Sequence, residues 1–115
     1  MAVIEPLTPA VFHILLSLVD GEKHGYGIMQ EVAARTNNAL IMGPGTLYGT
    51  LKRMLEAGLV EEYGEHPDPT MDDQRRRYYR LTRVGRRAAR TEAERLEALV
   101  QAARAKSLLR HPQRA

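Results

Sequence analysis

GPGTLYGTLKRMLEAGLVEEY (43–63) is the stretch on which the fold turns. Gly43-Pro44-Gly45 breaks whatever precedes it, and the proline suits the first turn of a new helix. At 100° per residue, Leu47, Leu51, Met54, Leu55 and Gly58 then fall on one side, and Gly45, Thr46, Gly49, Lys52, Arg53 and Glu56 on the other. After Gly58 the period changes from helical to alternating, so a strand begins at Leu59. A helix that buries one side, keeps a small and basic other side, and runs directly into a strand is the element to be placed.

Upstream, two more helices are expected. Thr8 can cap the first, with Pro9 at its first position and Leu7 and Phe12 spaced as a hydrophobic staple. Val11, Ile14, Leu15, Leu18 and Val19 form its buried stripe, and Asp20-Gly21 stops it. A second helix runs from near Gly25 to about Thr36, with Ile28, Val32 and Met29 inward. His24 reads as a turn residue that hydrogen-bonds locally. Downstream, 59–63 and 75–81 read as two short strands. Gly64 to Gln74, with two prolines and three aspartates, is the exposed hairpin tip between them. Thr82 can cap a last helix from about Arg83 to Leu109, roughly 40 Å long. Its apolar positions Val84, Ala88, Leu96, Leu99, Val100, Ala103 and Leu108 are spaced for one stripe. A body of about 80 residues cannot cover such a length, which calls for a second chain over Leu96, Leu99, Val100 and Ala103.

The fold class expected is therefore mainly α with a small β-hairpin: a winged helix-turn-helix over 1–82, then a dimerisation helix and short tail over 83–115. The length of 115 residues fits one ordinary domain. With one Phe and no Trp its core must be aliphatic. The absence of Cys excludes disulfides, cysteine-ligated zinc, iron–sulfur clusters and thiol nucleophiles, and suits a reducing cytoplasm. The apolar run 11–19 is too short to span a bilayer and no signal peptide is visible, so no membrane role is expected.

Charge is distributed unevenly. The net of +3 divides into four basic and eleven acidic side chains over 1–74, a net of −7, and thirteen basic against three acidic over 75–115, a net of +10. Such asymmetry points to a polyanion or to a solvated basic helix. In a winged helix-turn-helix, the third helix offers its outer side to the major groove and its N-terminus to a phosphate. Thr46, Gly49, Lys52 and Arg53 are then the DNA-facing positions, Tyr48 lies at the boundary, and Arg75, Arg76 and Arg77 extend the surface along the wing. Each also has a plainer reading. Lys52 and Arg53 suit a solvated helix face, and the arginine run a blunted sheet edge.

Three blocks resemble the PadR family of bacterial transcriptional regulators: HGYGIMQEV (24–32), GPGTLYGTLKRMLEAGLV (43–60) and RRRYYRLTRVGRR (75–87), with LTPAVFHILLSLVDGEKHGYG similar to the family's opening. The likeness covers about residues 7–90, and the short chain resembles the subgroup with a single C-terminal dimer helix. It implies a cytoplasmic, homodimeric, sequence-specific DNA-binding regulator, a repressor released by a small aromatic or drug-like effector. It also implies a core role for Leu47, a phosphate contact through the Tyr48 hydroxyl, and Tyr78 and Tyr79 alternating inward and outward. Gly49 departs from the proline common after the LY pair. The missing Trp removes the stacking platform on which drug-responsive relatives hold flat aromatic ligands.

Other readings are weaker. A winged-helix module docking an acidic partner through the basic half is the alternative. An enzyme finds no convergent carboxylates and no Ser–His pattern, so no catalytic residue or cofactor is called for. His13, His24, His66 and His111 share no metal spacing, and the pair His66 and Asp68 in the hairpin tip is a remote metal candidate. Arg83, Arg86, Arg87 and Arg90 open the last helix against its dipole, as phosphate contacts or as solvated charge.

Overall fold

The computed structural model describes residues 7–65 and 77–110. Thr8 caps α1 (Pro9–Leu18), its Oγ1 accepting from the Val11 N–H at 3.2 Å. Gly21 then turns the chain at φ 143°, a conformation open to glycine at little cost. A two-residue strand β1 (Lys23–His24) follows and leads straight into α2 (Gly25–Arg35). The His24 Nδ1 accepts the Gly27 N–H at 2.9 Å, so the imidazole is the helix cap. Between α2 and α3, Asn37 and Asn38 adopt consecutive left-handed conformations, φ 51° and 64°, which asparagine tolerates better than most residues. α3 (Pro44–Glu56) starts at Gly43 with proline in its first turn, as the 43–45 break predicts.

The wing is β2 (Val60–Glu65) and β3 (Arg77–Leu81), antiparallel, with Val60 opposite Leu81 and Glu61 opposite Arg80. Between Glu62 and Glu65 the register slips by one residue, a bulge that strengthens the local twist. The sheet order is β1-β3-β2, so the expected hairpin gains a third strand. β1 pairs Lys23 with Tyr79 and His24 with Tyr78. Its two residues are too few to show alternation in the sequence, and only β3 specifies them. The expected hairpin tip starts too early, since Gly64 and Glu65 belong to β2; its remaining residues, including the candidate pair His66 and Asp68, lie outside the described residues, as does His111.

α4 (Arg83–Ala105) is capped by Thr82, whose Oγ1 accepts the Gly85 N–H at 2.9 Å. The helix is about 35 Å long and stops four residues short of the expected Leu109. There Ser107 takes φ 65° and the Leu108 N–H returns to the Ala103 carbonyl at 2.8 Å. This left-handed turn at a non-glycine residue is what the sequence did not announce.

One aliphatic core joins Ile14, Leu15 and Leu18 of α1, Ile28 and Val32 of α2, Leu47, Leu51 and Met54 of α3, and Val60, Tyr79 and Ala89. Burial of each large aliphatic side chain is worth about 1.5–3 kcal/mol, which makes this cluster the main source of stability. α4 meets it through Gly85, Ala89 and Glu92. Val84, expected in the stripe, is instead 54% exposed. Small residues occupy the inward side at the start of α4 because the backbones touch there: a Cβ on Gly85 would stand 1.9 Å from the Leu59 carbonyl oxygen.

Candidate nucleic-acid interface

The N-terminus of α3 is bare. Gly43 supplies no side-chain cap, Pro44 has no N–H, and the first helical bond runs from the Leu47 N–H to the Gly43 carbonyl at 2.9 Å. The N–H groups of Gly45 and Thr46 therefore lack an intrahelical acceptor and carry the positive end of the helix dipole. Gly43, Pro44, Gly45 and Thr46 are all exposed. Two residues ahead stands Ile41, 69% exposed, an apolar side chain beside this bare end that the sequence reading did not single out. Its only sequence signal is an Ile-Met pair of which a single member is needed for the core; Met42 is the buried one.

Along the outer side of α3, Lys52 and Arg53 are exposed. Arg53 donates to the Thr50 Oγ1 at 3.3 Å and lies over Gly49, where an added Cβ would come within 3.9 Å of its Nη1. Thr50 is buried and donates to the Thr46 carbonyl at 2.7 Å. Tyr48 is half-buried with its ring over Gly25, where a Cβ would meet the tyrosine oxygen at 2.5 Å. The structure thus brings Thr46, Lys52 and Arg53 onto one exposed side, with Gly49 half-buried between them. It sets Tyr48 at the border between α3 and the start of α2.

The other two cations of the acidic half are committed elsewhere. Lys23 Nζ donates to the Ser17 carbonyl at 2.7 Å and to Asp20 at 2.9 Å. Arg35 donates to the His13 carbonyl, to the Ser17 Oγ and to Glu31, the last at 2.8 Å. Partial burial, then the Arg35 charge, holds the His13 imidazole below its ordinary pKa. The Lys23 ammonium, by its hydrogen bond, holds Asp20 below its own. Lys52 and Arg53 remain as the cations outside any ion pair among the described residues 7–65.

On the wing, Arg77 lies 3.6 Å from Glu62, and Arg80 bonds Glu61 at 2.7 Å while its guanidinium stacks 4.2 Å above the Tyr63 ring. Arg75 and Arg76 lie outside the described residues. Tyr79 points inward and is buried; burial, then the Glu62 charge, pushes its hydroxyl pKa up. Tyr78 packs edge-on against the His24 ring at 5.4 Å, so the expected alternation is present.

At the far end, α4 keeps one face. Its first half is closed by the body: Glu92 is 5% exposed, accepts from Arg95 at 2.9 and 2.5 Å, and takes the Leu7 N–H at 3.4 Å. The Arg95 hydrogen bonds hold its carboxyl below the usual range. Beyond Glu92 the same face carries Leu96, half-buried, then Leu99, 56% exposed, Val100, and Ala103, half-buried. Among the described residues no three His, Asp or Glu side chains gather as a metal site, and no helix is long and apolar enough to cross a membrane.

Three helices, a bare-ended third helix with an exposed basic side, and a bulged two-stranded wing followed by a long helix define a winged helix-turn-helix. Residues 14–91 match the model of the transcriptional regulator PadR-like family, and the chain belongs to that family. It is 36% identical over 87 residues to the transcriptional regulator Rv3488 of Mycobacterium tuberculosis, covering 76% of this chain and 75% of that one. It is 34% identical over 73 residues to an uncharacterised protein of Lysinibacillus sphaericus, a match that spans 64% of each chain and so less than two thirds of that relative's length. Among solved structures, Bacillus subtilis PadR in complex with operator DNA has the same fold, with a TM-score of 0.63 and 19% identity over 96% of this chain and 52% of that one.

Proposed function

We propose that the chain is a homodimeric, sequence-specific repressor that binds double-stranded operator DNA in the cytoplasm and is released by a small aromatic or drug-like effector. The observation that carries this reading is the bare N-terminus of α3, continuous with the exposed side of Thr46, Lys52 and Arg53, with Gly49 half-buried between them. A duplex fits that surface because unpaired N–H groups and cations suit phosphates while a small-residue side lets a backbone approach. Tyr48, beside the start of α2, and Arg77, on the wing, extend it, and Arg75 and Arg76 are assigned to the same DNA-binding set. Residues 1–82 are the DNA-binding part and 83–115 the dimerisation part. A second copy covers Leu96, Leu99, Val100 and Ala103, and the space between the two apolar helix faces is where the effector acts.

Binding is tested on a duplex selected by the protein from a random pool, titrated against salt beside a random duplex of equal length. The expected result is a steep linear fall of log K with log salt and a preference for the selected duplex of about 1,000-fold or more. Equal affinity for the two duplexes at every salt concentration would overturn sequence-specific binding. A footprint on the selected duplex should show two protected half-sites about one helical turn or a multiple apart.

A further inference from the structure

We infer that the outer side of the first two turns of α4 is a second phosphate-binding surface, formed by Arg83, Arg86, Arg87 and Arg90, which extends the DNA interface beyond the wing. This rests on the DNA-binding reading above. The four arginines lie within an arc of about 100°, opposite the side on which Gly85, Ala89 and Glu92 meet the body. All four are exposed, and none is in an ion pair among the described residues. Arg86 makes one bond, to the Val19 carbonyl at 3.3 Å.

Their position is electrostatically unfavourable in the isolated protein. The first turn of a helix carries the positive end of the dipole, which disfavours the cations of Arg83 and Arg86. The four also repel one another. Arg95, by contrast, is matched by Glu92, and the wing arginines Arg77 and Arg80 by Glu62 and Glu61. Among the described residues, positive charge outside any ion pair therefore lies on this ridge, on Lys52 and Arg53, and at the far end of α4 on Arg104, Lys106 and Arg110. Glu94 and Glu97 follow on the same outer side of α4 and bound the ridge.

A nucleic-acid backbone suits the ridge better than an acidic protein surface does. All four residues are arginine, whose planar fork pairs with phosphate oxygens bidentately. From Arg83 to Arg90 the helix rises about 10 Å, the axial length of about three phosphates along one strand. The ridge is also continuous with the wing, because Thr82 alone separates β3 from α4.

The test is the triple variant Arg83→Gln, Arg87→Gln, Arg90→Gln, which spares the structural bond of Arg86. Affinity for the pool-selected duplex and for a random duplex is measured across salt, beside wild type and beside Lys52→Ala with Arg53→Ala. Loss of three phosphate contacts lowers the magnitude of the slope by about 2 to 3 per bound chain. The preference for the selected duplex stays within about threefold of wild type, since phosphate contacts carry no sequence information. Circular dichroism and the thermal midpoint report folding; the midpoint should hold or rise, because repulsion and dipole strain are removed. An unchanged slope in the folded variant would overturn the assignment and direct the ridge to an acidic protein surface. If the wild-type chain binds neither duplex even at low salt, the DNA-binding reading itself fails, a result distinct from the first.

Discussion

Gly25 and Gly85 are both glycines at helix starts, yet the same methyl group has different consequences at each. At Gly85 an added Cβ meets the Leu59 carbonyl at 1.9 Å, and backbone cannot step aside without moving α4 off the body. Gly85→Ala should therefore cost about 3 kcal/mol or more, read as a lowered denaturant midpoint. At Gly25 the obstacle is the ring end of Tyr48 at 2.5–2.7 Å, a side chain that can rotate outward. Gly25→Ala should cost about 1 kcal/mol and move Tyr48 toward solvent, seen as increased iodide quenching of tyrosine fluorescence. The caps were legible at this scale: Thr8 and Thr82 each precede a periodic run and each accepts the expected N–H. The reason for the two glycines was not legible, because it depends on what stands opposite across a fold of long sequence separation.

At the scale of elements, α4 shows what periodicity reveals and what it conceals. The apolar stripe reads over Val84, Ala88, Leu96, Leu99, Val100, Ala103 and Leu108, but Val84 is exposed and Leu108 lies beyond the helix, and a chain cannot announce where its own body ends. Up to Glu92 the face is closed by α1 and the wing; past Leu96 it is open. Leu99→Asp, which places a charge on that open half, should leave the monomer fold intact. Sedimentation should then show a shift from dimer to monomer; an unchanged dimer would remove α4 from the interface. Glu92 sits at the changeover and reads as an ordinary polar position in the sequence, because the Leu7 N–H that its carboxylate accepts is 85 residues away. The strand β1 escaped for a related reason. Two residues carry no alternation, and the pairing with Tyr78 and Tyr79 exists only once the helices have brought His24 beside the wing.

For the whole molecule, the sequence partition of −7 and +10 was visible but its meaning was structural. Lys23 and Arg35 are spent on the α1–α2 contact, and Arg77 and Arg80 face Glu62 and Glu61. Acid stability follows from two other groups, His13 and Glu92. A base held below its ordinary pKa, as His13 is, favours protonation of the unfolded chain, so stability should fall once pH drops below about 6.5. A carboxyl held below its ordinary 4.5, as Glu92 is, stabilises the fold above that pH, and this contribution is lost as pH falls through the lowered folded value. Thermal midpoints from about pH 8 to about pH 3 should therefore decline in two limbs. His13→Asn should flatten the upper limb and Glu92→Gln the lower.

The Leu59 carbonyl accepts the N–H of Thr82 at 3.2 Å, the Thr82 hydroxyl donates to the neighbouring Gly58 carbonyl at 2.6 Å, and Gly85 rests against Leu59. In mechanical terms this is a clamped joint rather than a flexible coupling. It fixes the end of α3 to the root of α4, so a tilt of the long helix carries the α3 end with it. Any agent that spreads or closes two such helices would work a lever about 35 Å long whose short arm is α3.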